Sequence, residues 1–185
     1  GEAIFANAKQ KFYEDVKGDS YVRFEEALKV VNSAIETLKE EKVSRFIGTL
    51  NIALGAVVQG NLYISTTGDS EVYLIRKNFV SVISEGLAET SKRDMFINIA
   101  HGNLEKSDVV VFSSSRLLRY ITKTNFGKVF GGKPPRIGTS LMDLQDALMS
   151  EMLGRAAVIG IAVGYEQQAE SFGEFEEKQQ KSGLS

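Results

Sequence analysis

Apolar positions in the first forty residues recur at helical spacing. Ile4, Ala8, Phe12 and Val16 share one face of a helix spanning Glu2 to Val16, and Gly18 supplies its stop. A second helix is expected after Asp19 or Ser20. Its apolar stripe of Phe24, Ala27, Leu28, Val31, Ile35 and Leu38 lies opposite Glu25, Glu26, Lys29 and Glu36, so it should sit on the surface of a core. Beyond the charged run Lys39 to Lys42 the period shortens to two. Strands are expected at Gly48 to Val58, Leu62 to Thr67, Glu71 to Arg76 and Phe79 to Ser84. They are separated by Gln59-Gly60-Asn61 and Thr67-Gly68-Asp69, the pattern of antiparallel strands joined by tight turns.

The second half reads less regularly. Glu85 to Asp94 is polar and suggests a loop or short helix. Met95 to Ala100 and Asp108 to Ser113 read as a further strand pair, joined through His101 to Lys106. Val109 to Phe112 shows no alternation, which predicts a central strand covered on both faces. Arg116 to Thr122 should begin a helix, and Phe126 to Thr139, with four glycines and both prolines, reads as a long irregular loop. Ser140 and Asp143 form a capping-box pattern ahead of Leu144, Leu148 and Met152, which predicts a helix from Ser140. A last strand is expected at Ala156 to Val163. The reading is one domain over residues 1–165 and a polar tail over 166–185. Alternation assigns Leu54, Val57, Leu62, Ile64, Val72, Leu74, Val110, Phe112, Ile159 and Ile161 to one core between two sheets.

Composition narrows the function classes. With 185 residues and 43% hydrophobic content the chain can bury a sizeable core as a single domain. A formal charge of −2, with basic residues scattered among acids, gives no nucleic-acid footprint. No apolar run is long enough for a membrane span. The chain has no Cys, which excludes disulfides, thiolate metal sites and cysteine nucleophiles and is compatible with a cytoplasmic setting.

Three motifs carry a resemblance. The stretch Ile47 to Arg76 places a Gly-Thr strand, a Gly-containing hairpin and the turn Gly68-Asp69-Ser70 in succession. Ser107 to Leu118 contains a buried-strand pattern ending in Ser115-Arg116-Leu117, and Gly154 to Val163 forms the last strand. In this order they resemble the metal-dependent protein Ser/Thr phosphatases of type 2C, over roughly Phe24 to Val163. The resemblance implies an α+β fold of two packed antiparallel sheets flanked by helices, here without the family's N-terminal strands.

It also implies metal ligands that this chain has lost. Ser115 stands where the family's Ser-Asp-Gly-Leu motif has a metal-binding Asp, with Arg116 in the Gly place. Gly154 and Arg155 replace an Asp-Asn pair whose Asp is another ligand. The early Asp and the Asp-Gly-x-Gly-Gly turn have no counterpart. Only Asp69 remains, at a position resembling an outer, third-metal contact. A two-metal site needs several convergent carboxylates, whereas a serine hydroxyl is a weak neutral ligand and an adjacent arginine repels a divalent cation. Asp69 also has a structural reading, accepting local backbone N–H bonds within its turn. We therefore expect no metal, no cofactor and no catalytic residue.

Weaker signals also have both a functional and an ordinary reading. His101, the single histidine, reads as a surface loop residue rather than a catalytic base. Ser113-Ser114-Ser115 lacks a Gly-x-Ser-x-Gly elbow and an identifiable base. Thr49 would need a free amine to act as an N-terminal nucleophile. Gly131-Gly132-Lys133 has the composition of a phosphate loop without its spacing or following helix. Arg116 and Arg119, with Arg45 and Arg76 elsewhere, could bind phosphate or form ordinary ion pairs. Phe172 and Phe175 could dock a partner or fold back on the domain. The expectation is a non-catalytic pseudophosphatase-like module acting through protein contacts. The alternative is a metal-dependent phosphoprotein phosphatase whose missing ligands come from outside this chain. Without the N-terminal strands a sheet edge needs cover from the first helix, the tail or a second copy in a homodimer.

Overall fold

Two antiparallel sheets stack between two pairs of helices. The structure is a computed structural model that describes residues 2–40, 50–89, 94–149 and 156–164. In chain order its elements are α1 (Glu2–Glu14), α2 (Ser20–Glu40), β1 (Ile52–Val58), β2 (Asn61–Thr67), β3 (Glu71–Arg76), β4 (Phe79–Val82), β5 (Ala100–Asn103) and β6 (Val109–Ser113). A 3-10 turn (Leu117–Arg119), α3 (Lys123–Phe130), α4 (Ile137–Met149) and β7 (Val158–Ala162) complete the described chain. One sheet has the order β1-β2-β5 and the other β4-β3-β6-β7. No helix among the described residues is long and apolar enough to cross a membrane.

Alternating side chains divide the core into three layers. Ile52, Leu54, Ala56 and Val58 of β1 face α1 and α2, where they meet Phe12, Phe24, Leu28, Val31 and Ile35. Leu62, Ile64, Val72 and Val110, with Leu74 and Phe112, fill the space between the sheets. Tyr73, Ile75, Val109 and Val111 point the other way, onto Phe126 and Phe130 of α3 and Leu144 and Leu148 of α4. β6 is thus a central strand covered on both faces, as its unbroken apolar run predicts. Arg23 ties the two leading helices together by donating from Nε to the Phe12 carbonyl at 2.8 Å. The β1–β2 hairpin closes through Gln59 and Gly60, both at positive φ, the geometry that suits the strand twist.

Four of the expected inter-sheet residues lie elsewhere. Leu54 belongs to the helix-facing layer. Val57, Ile159 and Ile161 are 49%, 62% and 41% exposed. The register pairs Ile159 with Phe112 and Ile161 with Val110, so both point toward the inter-sheet side. The β1-β2-β5 sheet ends at β1, however, and among the described residues nothing extends it over β7. α1 packs on α2 rather than against either edge. The tail lies outside the described residues.

Further expectations are corrected by specific bonds. Met95 to Ile99 is not a strand, because Asn32 of α2 captures its backbone. The Asn32 Oδ1 accepts from the Met95 and Phe96 N–H groups at 3.1 and 3.0 Å, and its Nδ2 donates to the Phe96 carbonyl at 2.8 Å. The strand is instead β5, which contains the expected turn His101-Gly102-Asn103 and pairs with β2, not β6.

Much of the expected loop Phe126 to Thr139 is helical. Thr122 caps α3, accepting the Asn125 N–H at 3.3 Å. Gly127 serves a close approach, not a turn: a Cβ there would strike the Asn78 carbonyl oxygen in the β3–β4 turn. α4 starts at Ile137, so Ser140 is no cap. Its Oγ donates to the Val129 carbonyl at 2.6 Å and its N–H to the Arg136 carbonyl at 2.9 Å.

Candidate functional site

Strand register assembles the residues carrying the resemblance. The β3–β6 ladder ends with Glu71 paired to Ser113, so the Gly68-Asp69-Ser70 turn and the segment after Ser113 leave the sheet at the same end. On the other side of β6 the Ser114 N–H donates to the Ala157 carbonyl at 3.0 Å, while the Ala157 N–H donates to Ser114 Oγ at 2.9 Å. The Gly68-Asp69-Ser70 turn and the segment after β6 therefore meet at one end of the sandwich. Gly154, Arg155, Arg45 and Thr49 lie outside the described residues, as do Phe172 and Phe175.

The turn is anchored by its neighbours. Gly68 has φ +65°, and a Cβ there would crowd the Leu50 carbonyl oxygen at 2.6 Å, so glycine is needed on both counts. The Asp69 N–H donates to Asn51 Oδ1 at 2.9 Å. Buried Ser70 donates to the Ile52 and Thr67 carbonyls at 2.7 and 2.6 Å. Asn51 is a site residue that sequence reasoning missed. Its position just before β1 offered no local signal, because its partner is eighteen residues downstream.

Asp69 does not turn its carboxylate on its own backbone. Arg116 Nε lies 3.0 Å from Asp69 Oδ1, and Arg119 Nη2 lies 3.9 Å from the same oxygen. The Asp69 and Arg116 side chains are 49% and 46% exposed, so solvent screens this pair. The segment bearing both arginines is fixed from within. Fully buried Tyr73 accepts the Leu117 N–H at 2.7 Å and donates its own proton to Glu71 Oε2 at 2.5 Å. Burial, and next the Glu71 carboxylate, raise the Tyr73 phenol above its ordinary value near 10, outweighing the backbone N–H bonds from Leu117 and Leu118. The phenol is thus neutral and able to donate at neutral pH.

Other candidates are placed elsewhere or are already engaged. Ser113 Oγ accepts the Ser115 N–H at 3.2 Å, so two of the three serines hold the turn together. His101 lies on exposed β5 of the other sheet, stacked on Tyr63 with ring centroids 5.9 Å apart. Among the described residues no three His, Cys, Asp or Glu side chains converge as a metal site would require. Thr66 and Thr67, directly before the turn, bury hydroxyls without a partner among the described residues.

Among the described residues the donor set does not fit a two-metal centre. Asp69 lies beside a guanidinium, and Ser115 offers a neutral hydroxyl.

No protein-family model matches the chain, and no protein of curated function matches it by sequence. Solved structures do match. The serine/threonine phosphatase Stp1 from Staphylococcus aureus is similar with a TM-score of 0.69 at 13% identity, over 89% of this chain and 77% of that one. The Mycobacterium tuberculosis serine/threonine phosphatase PstP/Ppp gives 0.66 at 16% identity, over 86% and 79%. PppA of Pseudomonas aeruginosa, described as a key regulatory component of the T6SS, gives 0.63 at 13% identity, over 88% and 80%. At such low identity the likeness shows the fold alone, that of the type 2C Ser/Thr phosphatases.

Proposed function

We propose that this domain is a pseudophosphatase-like module that works through protein contacts and does not hydrolyse phosphate esters. The observation that carries the reading is the Asp69 carboxylate 3.0 Å from Arg116 Nε, at the end of the β3–β6 ladder. In-line attack on phosphorus by a metal-bound water needs carboxylates that gather two cations and lower the pKa of that water. Here the remaining carboxylate is engaged by the chain's own guanidinium. The exposed apolar side chains Val57, Ile159 and Ile161 along β1 and β7 support the contact half of the reading.

The test is phosphate release from an activated aryl phosphate and a phosphopeptide with millimolar Mn²⁺. Release at the background rate is expected. The double variant Ser115→Asp and Gly154→Asp should gain metal affinity before it gains turnover, since positioning the attacking water calls for more than these two carboxylates. Metal-dependent turnover by the unmodified chain would overturn the proposal, and turnover that appears only when a further chain is added would favour a phosphatase completed by residues outside this sequence.

A further inference from the structure

We propose a second site, at the far end of the four-stranded sheet, that binds a small phosphate-bearing anion. A cavity of about 140 Å³ opens there. The β3–β4 turn contributes Lys77, the β5–β6 connection Lys106 and the loop after α3 Lys133, so three segments distant in sequence bring lysines to one opening. Arg76, Glu105 and Asp108 also line it.

Charge accounting makes the cavity cationic. Both carboxylates are engaged by Arg76: Nε and Nη2 donate to Asp108 at 2.9 and 2.7 Å, and Nη1 lies 2.9 Å from Glu105 Oε1. The Glu105 N–H donates a further bond to Asp108 at 2.7 Å. Lys77, Lys106 and Lys133 make no ion pair among the described residues, and with Arg76 they give the described lining four positive groups against two carboxylates. Buried Ile75 and Phe130 form apolar wall, which strengthens attraction between the lysines and an anion. Gly131 seats the Asn78 side chain, which a Cβ there would strike, and Gly132 borders the opening without a side chain. Lysine suits an anionic ligand as a mobile point charge. Gly131-Gly132-Lys133 thus contributes without being a nucleotide loop: the charge comes from three segments, and the loop follows the C-terminal end of α3.

The test is calorimetric titration of the full chain at low ionic strength with inorganic phosphate, pyrophosphate and ATP. One saturable site is expected, tighter for pyrophosphate than phosphate and weakened by salt. ATP binding no tighter than pyrophosphate assigns recognition to the phosphates alone, whereas tighter ATP binding adds a nucleoside contact; either result supports the site. The exposed pair Lys77→Glu and Lys133→Glu should lower affinity about tenfold or more with an unchanged circular dichroism spectrum. The milder pair Lys77→Gln and Lys133→Gln should give a smaller loss in the same direction. Arg116→Glu should leave binding unchanged. Absence of saturable binding by all three anions would overturn the proposal, as would binding that survives both lysine pairs or is lost in Arg116→Glu.

Discussion

Each end of the β3–β6 ladder carries an arginine–aspartate contact, and burial makes them different devices. At one end Asp108 is 2% exposed, and Arg76 grips it with two nitrogens while the Glu105 N–H adds a third bond. At the other, Asp69 is 49% exposed and meets Arg116 through one short contact. A desolvated, multiply bonded carboxylate is part of the fold, whereas a solvated pair contributes little to stability and can exchange partners. The end that resembles a catalytic centre is therefore the one least committed to holding the protein together. Substituting its arginines should leave the domain folded.

Breaking each contact measures the contrast. Asp108→Ala should have the largest effect, costing about 3 kcal/mol in urea unfolding, because it strips a buried acceptor from Arg76 and from the Glu105 amide. A loss below about 1 kcal/mol would remove the distinction between the ends. Tyr73→Phe should cost about 1–3 kcal/mol, since the Leu117 N–H loses its acceptor.

The same variant also sharpens the pH dependence. Above about pH 10 the unfolded chain ionises this phenol while the folded chain retains its proton, so native stability falls as pH rises. Tyr73→Phe should show a shallower alkaline decline in thermal midpoint than the parent. Asp69→Ala should cost about 0–1 kcal/mol, the range for a solvated pair. The smallest effect is expected for Thr66→Val, which removes an unpartnered buried hydroxyl at nearly constant shape: the midpoint should stay level or rise. A clear drop would mean that the hydroxyl has a partner.

How much of this was legible depended on how local the cause was. The hairpins β1–β2 and β3–β4 and the buried run of β6 follow from alternation and turn residues, and they lie close to where the pattern puts them. The segment Met95 to Ile99 looked like a strand because its apolar content was visible and its capture by Asn32, over sixty residues earlier, was not. Gly127 and Gly131 looked like loop formers because composition cannot distinguish flexibility from a close approach to Asn78. Val57, Ile159 and Ile161 carry the correct alternation for an inward face, but the pattern along a strand does not say how far the opposite sheet reaches.

At the site, Asp69, Ser115 and the arginines could be named from the sequence. Their pairing could not, because it depends on the register between β3 and β6. Asn51 and Tyr73 were missed as supports for the same reason: their partners come from other segments.

Calorimetric titration of the unmodified chain with Mn²⁺ tests the central claim most directly, because it asks whether a divalent cation can take Arg116's place at Asp69. The account predicts no saturable heat at micromolar metal. Stoichiometric micromolar binding that disappears in Asp69→Ala would contradict it.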